Sequence, residues 1–249
     1  MSRFEGKVAI VTGAGRGIGA ATARLIASEG GRIAVCDVDQ TLAQQTAAEL
    51  AGNNGHPFVY DLSKPANCDE LVADVLGQLG RVDVLVNSAG VCPRVAIEDM
   101  TEAVFDSIMN INLKSIFFLS RAAGNAMATN GWGRIVNLSS VGGRTGGVYR
   151  ATVYAASKAG VISMTKAFAR HFAAHGILVN SVAPGSVDTR MMHEGVTEEA
   201  RQAQIEASPL NRLSAPEEQA EVVAFLASEA NTYVTGATVD ANGGALMPD

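Results

Sequence analysis

The chain has 249 residues, of which 47% are hydrophobic and 18% charged, enough apolar material for one sizeable α/β core. Its formal charge of −6 is spread without a long run, which excludes the basic footprint of a nucleic-acid binder or a polybasic membrane arm. No uninterrupted apolar stretch approaches the ~18 residues of a membrane span.

In chain order, KVAIVT reads as a buried strand, followed by the glycine loop Thr12–Gly19 and a helix over Gly17–Glu29. RIAVCD is a second strand, Thr41–Leu50 a helix, PFVYD a third strand and Cys68–Leu79 a helix. VDVLVNS, GRIVNLSS and ILVNSVAPG supply three more strands, with helices over Thr101–Ala128 and Val153–Ala174 between them. A helix over Pro216–Ser228 and a seventh strand near Ala237–Asp240 close the series. Strands apolar on both faces that alternate with helices predict a doubly wound parallel α/β sheet in a single domain, 1–249. Ser186–Leu213 breaks the alternation and is long for a connection, so it is expected to be a substrate lid or binding loop. The N-terminus runs directly into strand and glycine loop with no apolar leader, so a soluble cytoplasmic protein is expected.

TGAGRGIG, at Thr12–Gly19, follows a buried strand and opens an alanine-rich helix. Gly13, Gly17 and Gly19 allow a tight turn and close helix–strand packing, and leave helix N–H groups free for a pyrophosphate. Asp37 ends the second strand, where a carboxylate can accept from adenosine ribose hydroxyls and would repel a 2′-phosphate. No Arg or Lys stands at Val38 or Asp39, so NAD is expected over NADP, with Arg16 the one basic group in the loop.

Tyr154 and Lys158 are four apart in VYAASKAGVISMTKAFARHF and share a helix face. Tyr149 has Val153 at that spacing and lies beside glycines that resist helix, so it is expected on the substrate wall instead. A tyrosine pKa near ~10 brought to about 7 corresponds to about 4 kcal/mol of differential stabilisation. One screened lysine falls short of that, and an oxidised nicotinamide ring is a natural second positive charge.

TGxxxGxG at Thr12–Gly19, NSAG at Asn87–Gly90, Asn112, Ser140, YxxxK at Tyr154–Lys158 and PGSVDT at Pro184–Thr189 occur in this order over nearly the whole chain. In this the sequence resembles the short-chain dehydrogenase/reductase family. The resemblance implies a Rossmann-type seven-stranded domain and nicotinamide-dependent hydride transfer at an alcohol or carbonyl carbon. It makes Tyr154 the general acid–base, Ser140 the partner of the substrate oxygen, and Lys158 the group that lowers the tyrosine pKa and binds the nicotinamide ribose. Asn112 would position a relay water. It is chosen over Asn110 because it precedes leucine, and Ser140 over Ser139 by the family pattern.

For the cofactor, the resemblance adds Ile18, Asp61, Leu62, Asn87, Ala89 and Gly90, and Pro184, Gly185, Val187 and Thr189, to the glycine loop, Tyr154 and Lys158. Two departures stand out: Ser88 where asparagine is usual, and fourteen residues from Ser140 to Tyr154 where about thirteen is typical.

The remaining features carry less. Cys36, Cys68 and Cys92 lack CxxC spacing, and the HxxxH pair His171 and His175 lacks a third ligand, so no metal or disulfide is expected. Met191 and Met192 open the lid, while Arg94, Arg144 and Arg150 flank the site segments as candidate partners of an anionic substrate. The leading expectation is an NAD-dependent dehydrogenase of a secondary alcohol, such as a sugar, polyol or other small alcohol. The alternatives are a 3-oxoacyl-thioester reductase, which in the family generally uses NADPH, and a non-catalytic nicotinamide-sensing protein. A homotetramer or homodimer built on the alanine-rich helices is what the family implies.

Overall fold

Seven strands run through the computed structural model, which describes residues 2–248: β1 (Val8–Thr12), β2 (Arg32–Asp37), β3 (Gly55–Val59), β4 (Val84–Asn87), β5 (Gly133–Leu138), β6 (Ile177–Pro184) and β7 (Thr238–Ala241). All pair in parallel, in the order β3-β2-β1-β4-β5-β6-β7. The order reverses between β1 and β4, and at such a switch point the loops leaving the strand C-termini diverge and open a crevice.

Side chains on β1 alternate between two cores, as a pleated strand requires. Val8 and Ile10 join Leu71, Val75, Leu119, Met127, Phe168 and Phe172 on one face. Ala9 and Val11 join Phe4, Ile26, Val223 and Leu226 on the other. The first face is covered by α3 (Pro65–Leu79), α5 (Ser115–Ala128) and α7 (Thr152–Phe172), the second by α1 (Gly17–Ser28) and α10 (Pro216–Ala227). The helix α2 (Gln40–Glu49) packs on β2 and β3, with Asp39 capping its first turn through Leu42 N–H at 3.1 Å.

The predicted helix Thr101–Ala128 is broken in the middle. It runs as α4 (Glu102–Met109), a π-helical turn over Asn110–Lys114, and then α5. No proline or glycine marks the break, so the 3.6-residue pattern passes through it unseen. The widened turn holds Asn112, which is fully buried. In the 140s, the short helix α6 (Gly142–Thr145) precedes a stretch in which Gly146, Gly147, Tyr149 and Arg150 all have positive φ, between 53° and 84°. The fourteen-residue span between Ser140 and Tyr154 is thus taken up in a strained turn, the sort of backbone found near functional sites.

The 186–213 segment contains α8 (Arg190–His193) and α9 (Glu198–Glu206), the latter capped by Thr197. Its two ends are tied together: Val187 bridges Ser214, Asp188 N–H donates to the Ser214 carbonyl at 2.9 Å, and Ser214 N–H donates to the Ser186 carbonyl at 3.0 Å. Among the described residues no helix is long and apolar enough to cross a membrane, and no cluster of three His, Cys, Asp or Glu could hold a metal.

Candidate active site

A cavity of about 190 Å³ opens over the C-terminal ends of β4, β5 and β6. Ser140, Tyr154 and Lys158 all line it, so three of the four predicted catalytic residues meet at one place. The two serines differ in their hydrogen bonds. Both border the cavity, but the buried Ser139 hydroxyl is spent on the Lys158 carbonyl at 2.9 Å, while Ser140 Oγ accepts from Gly142 N–H at 3.0 Å and keeps its own proton to donate.

The fourth residue, Asn112, does its work one layer deeper. Its Oδ1 accepts from Val91 N–H at 2.9 Å, and its Nδ2 donates to the Val91 carbonyl at 2.9 Å and to Ser157 Oγ at 3.2 Å. The π-turn thereby clamps the irregular segment that carries Cys92 and Arg94 against α7. Asn110 is half-buried and not part of this clamp.

Burial drives both titrating groups towards neutrality. The Tyr154 phenol is pushed up to about 12, first by burial and then by the nearby Cys92 thiol, against the opposing pull of the Ser140 hydroxyl and the Arg94 charge. The Lys158 ammonium is pushed down to about 8 by burial, partly offset by Cys92. Its Nζ donates to the Leu138 carbonyl at 2.6 Å and lies 5.7 Å from the centre of the Tyr154 ring. The carbonyl holds the ammonium, and Ser140 and Arg94 are the groups that favour the phenolate.

The glycine loop lies beside this cavity. Arg16, exposed, stands at the N-terminus of α1 in extended conformation, and neither it nor any first-turn carboxylate caps the helix N–H groups. Gly13, at φ 61°, lies so close to the 87–90 turn that a Cβ there would sit 2.8 Å from Ala89 Cα. Gly17, at φ 55°, faces Thr189, whose methyl would be 3.4 Å from such a Cβ. Gly19 backs onto the Gly13 carbonyl, and Ile18 lines the cavity. An uncapped, acid-free helix start flanked by glycines is a cradle for an anionic phosphate. The residues present therefore fit a dinucleotide.

Asp37 is nearly buried at the end of β2, and its two oxygens accept from Gly15 N–H at 2.9 Å and Asp39 N–H at 3.1 Å. This fixes the carboxylate at the rim of the glycine loop with lone pairs to spare. Thr12 Oγ1, at the end of β1, accepts from both Ser88 N–H and Ala89 N–H at 3.1 Å, locking the loop to the NSAG turn. Gly90 faces Asn112 and Lys158, and a Cβ there would be 3.6 Å from the Lys158 nitrogen. On the far side, Pro184, Gly185, Val187 and Thr189 line the cavity.

Three residues predicted at the cofactor have side chains with partners inside the protein. Asn87 is buried and crosslinks the core, its Nδ2 donating to Asn137 Oδ1 at 2.8 Å and Ser120 Oγ at 3.2 Å. Leu62 buries its side chain in the hydrophobic core. The Asp61 carboxylate accepts from Ser63 N–H at 3.1 Å and Ser63 Oγ at 2.6 Å, which holds it below its usual range and organises the turn into α3. The side chains of Asn87 and Leu62 are thus committed to the scaffold, and an adenine would meet the backbone there.

The chain matches, over residues 13–245, the family profile described as enoyl-(acyl carrier protein) reductase. It is 40% identical over 247 residues to the 3-oxoacyl-[acyl-carrier-protein] reductase FabG of Thermotoga maritima, covering 98% of this chain and all of that one. It is also 39% identical to the 7alpha-hydroxysteroid dehydrogenase of Bacteroides fragilis, covering 98% of this chain and 96% of the relative. Among solved structures, that of gox2181 superposes with a TM-score of 0.93 at 36% identity, over 98% of this chain and 96% of that one. The chain belongs to the short-chain dehydrogenase/reductase family. It is an oxidoreductase acting on CH–OH and C=O groups, with the Rossmann-type sheet described above.

Of the other residues singled out in this dehydrogenase/reductase, Met191, Met192 and Cys92 line the cavity, and burial pushes the Cys92 thiol up. Tyr149 does not line the cavity; it is 41% exposed, and Gly147 and Val148 form the wall in its place. Tyr149 has a positive φ of 53°, a backbone state that its residue type does not announce. Gln204 on α9, which no motif marked, is the missed residue: it faces the cavity from within a polar helix whose sequence reads as solvated surface.

Proposed function

We propose that this protein is an NAD(H)-linked oxidoreductase that interconverts a secondary alcohol and a ketone, with Tyr154 as acid–base and Ser140 hydrogen-bonded to the substrate oxygen. The observation that carries the reading is the convergence of Ser140, Tyr154 and Lys158 on one cavity beside the uncapped start of α1. When bound, the nicotinamide supplies the hydride acceptor or donor. Tyr154 takes the hydroxyl proton or returns it to the carbonyl oxygen, Ser140 holds that oxygen in line, and Lys158 offers donors to ribose hydroxyls. The 186–213 segment serves as the lid, with Met191 and Met192 as an adaptable wall. The non-catalytic reading has the complete Ser–Tyr–Lys set against it.

Asp37 supports NAD(H). Its carboxylate, fixed by Gly15 and Asp39 amides, repels a 2′-phosphate and accepts from ribose hydroxyls. For the substrate, the likeness to a 3-oxoacyl-[acyl-carrier-protein] reductase supports an aliphatic chain bearing an oxo or hydroxyl group near a carboxyl-level carbon, free or thioester-bound, better than the sugar or polyol expected from sequence. The wall of Val148, Met191 and Met192 also suits an acyl chain better than a row of hydroxyls. The deciding assay offers 3-oxoacyl thioesters with NADH and NADPH, and secondary alcohols and polyols with the oxidised cofactors. Faster turnover with NADH supports the reading, and a preference for NADPH overturns the cofactor assignment. We place the protein in the cytoplasm as a homotetramer or homodimer joined through α5 and α7, where Phe117 is 43% exposed. Sedimentation as a monomer would contradict that assembly.

A further inference from the structure

Among the described residues two cations and no carboxylate face the cavity, although the chain as a whole carries a net charge of −6. One of the cations, Lys158, is held by the Leu138 carbonyl. The other, Arg94, is nearly free. Among the described residues its one side-chain hydrogen bond is a long one from a terminal nitrogen to the Val148 carbonyl, 3.4 Å, and its Nε is buried with no partner. Gln204 is in the same condition. Its Oε1 accepts from Ser186 Oγ at 3.3 Å, while its Nε2 is buried and unpartnered.

Leaving a buried donor without an acceptor is unfavourable, because the group has lost its water and gained nothing in exchange. Two such donors lining one cavity amount to a site prepared for an acceptor that the described residues do not provide. The other arginines near the site are not available in this way. Arg144 is paired with Asp240 at 2.8 and 2.9 Å, and Arg150 is exposed and off the cavity wall.

We propose that Arg94 and Gln204 form an anion subsite selecting substrates with a free carboxylate, so that the enzyme acts on a hydroxy acid and its oxo acid. The proposal rests on the hydride-transfer reading above and names the substrate class for it. A guanidinium presents a planar fork that matches a carboxylate, and its charge strengthens each bond. Arg94 and Tyr154 line the same cavity of about 190 Å³, so one small molecule can meet both. Gly195, in the 186–213 segment, lies over the Arg94 stem, where a Cβ would stand 3.3 Å from its Cγ. The anion would therefore bind where the lid rests. The carboxylate is a spectator in the reaction: the hydroxyl proton goes to the Tyr154 oxygen, the carbinol C–H leaves as hydride to NAD, and the carboxylate is unchanged.

The test compares 2- and 3-hydroxyhexanoate with their methyl esters and with 3-hydroxyhexanoyl-CoA, using NAD and NADP, in the wild-type protein and in Arg94→Gln and Gln204→Leu. The expected result is an acid-to-ester ratio in kcat/KM above ~10 for the wild type, falling towards one in Arg94→Gln mainly through KM, with a smaller fall in Gln204→Leu. A wild-type ratio near one, an unchanged ratio in Arg94→Gln, or turnover of the thioester with the free acid inert would overturn the subsite. If no compound is turned over, the hydride-transfer reading fails, and calorimetric titration of hydroxyhexanoate still decides the subsite. Binding at least ~10-fold weaker in Arg94→Gln supports it, and equal binding overturns it.

Discussion

Lys158 Nζ donates to the Leu138 carbonyl at 2.6 Å, which anchors the buried ammonium of α7 to the last residue of β5. Burial pushes this lysine down to about 8, from an ordinary value of 10.5. Between these two values the unfolded chain binds a proton that the folded protein does not, so this group makes stability rise with pH across that window. Lys158→Met removes the term. Urea unfolding of both proteins from pH 7 to 10 should show the wild type gaining on the variant by about 2–3 kcal/mol as pH rises. A constant difference across that range would contradict the buried, weakened ammonium.

The Tyr154 phenol, held up to about 12, sets the sign of the activity profile. Alcohol oxidation needs the phenolate and carbonyl reduction needs the phenol. The kcat/KM for oxidation should therefore climb with pH from 6 to 9, while that for reduction stays level or falls. An oxidation optimum on the acid side would be inconsistent with Tyr154 as the base.

Asn112 is expected to matter to the fold as much as to the reaction. Its amide satisfies both the N–H and the carbonyl of Val91 as well as Ser157. Asn112→Ala takes the partners from the half-buried Val91 N–H and carbonyl, while Ser157 keeps its bond to the Tyr154 carbonyl, at a cost of about 2–3 kcal/mol, enough to lower the thermal midpoint by several degrees. Scanning calorimetry checks this, and an unshifted midpoint would mean that the clamp is not a structural element.

Asp37→Ser should move cofactor preference. Removing the carboxylate takes away the repulsion of a 2′-phosphate and an acceptor for the ribose, so KM for NADP should fall while KM for NAD rises, each by ~10-fold. The Gly15 and Asp39 amides also lose a partner in this variant, so the loop should become less well ordered. Unchanged KM values for both cofactors would show that Asp37 serves the loop alone.

Much of this was legible in the sequence because it lies in local spacing. The parallel strands showed as unbroken apolar runs, the glycine loop as a strand–turn–helix, and Tyr154–Lys158 as one helical turn. What the sequence hid depends on distant packing. The π-turn at Asn110–Lys114 has no breaking residue to announce it. The carbonyl that holds Lys158 comes from another strand, and the positive φ at Tyr149 cannot be seen in its residue type. Gln204 sits in a helix of polar composition, and only the path of the 186–213 segment turns it inward.

The account stands most directly on Tyr154. Tyr154→Phe should be purified, its NADH affinity measured by titration, and its single-turnover reduction of a ketone substrate compared with the wild type. Because the phenol oxygen is the only atom removed, cofactor affinity should stay within about threefold while the rate of hydride transfer falls by ~10³-fold or more. Hydride transfer near the wild-type rate in that variant would contradict the central claim.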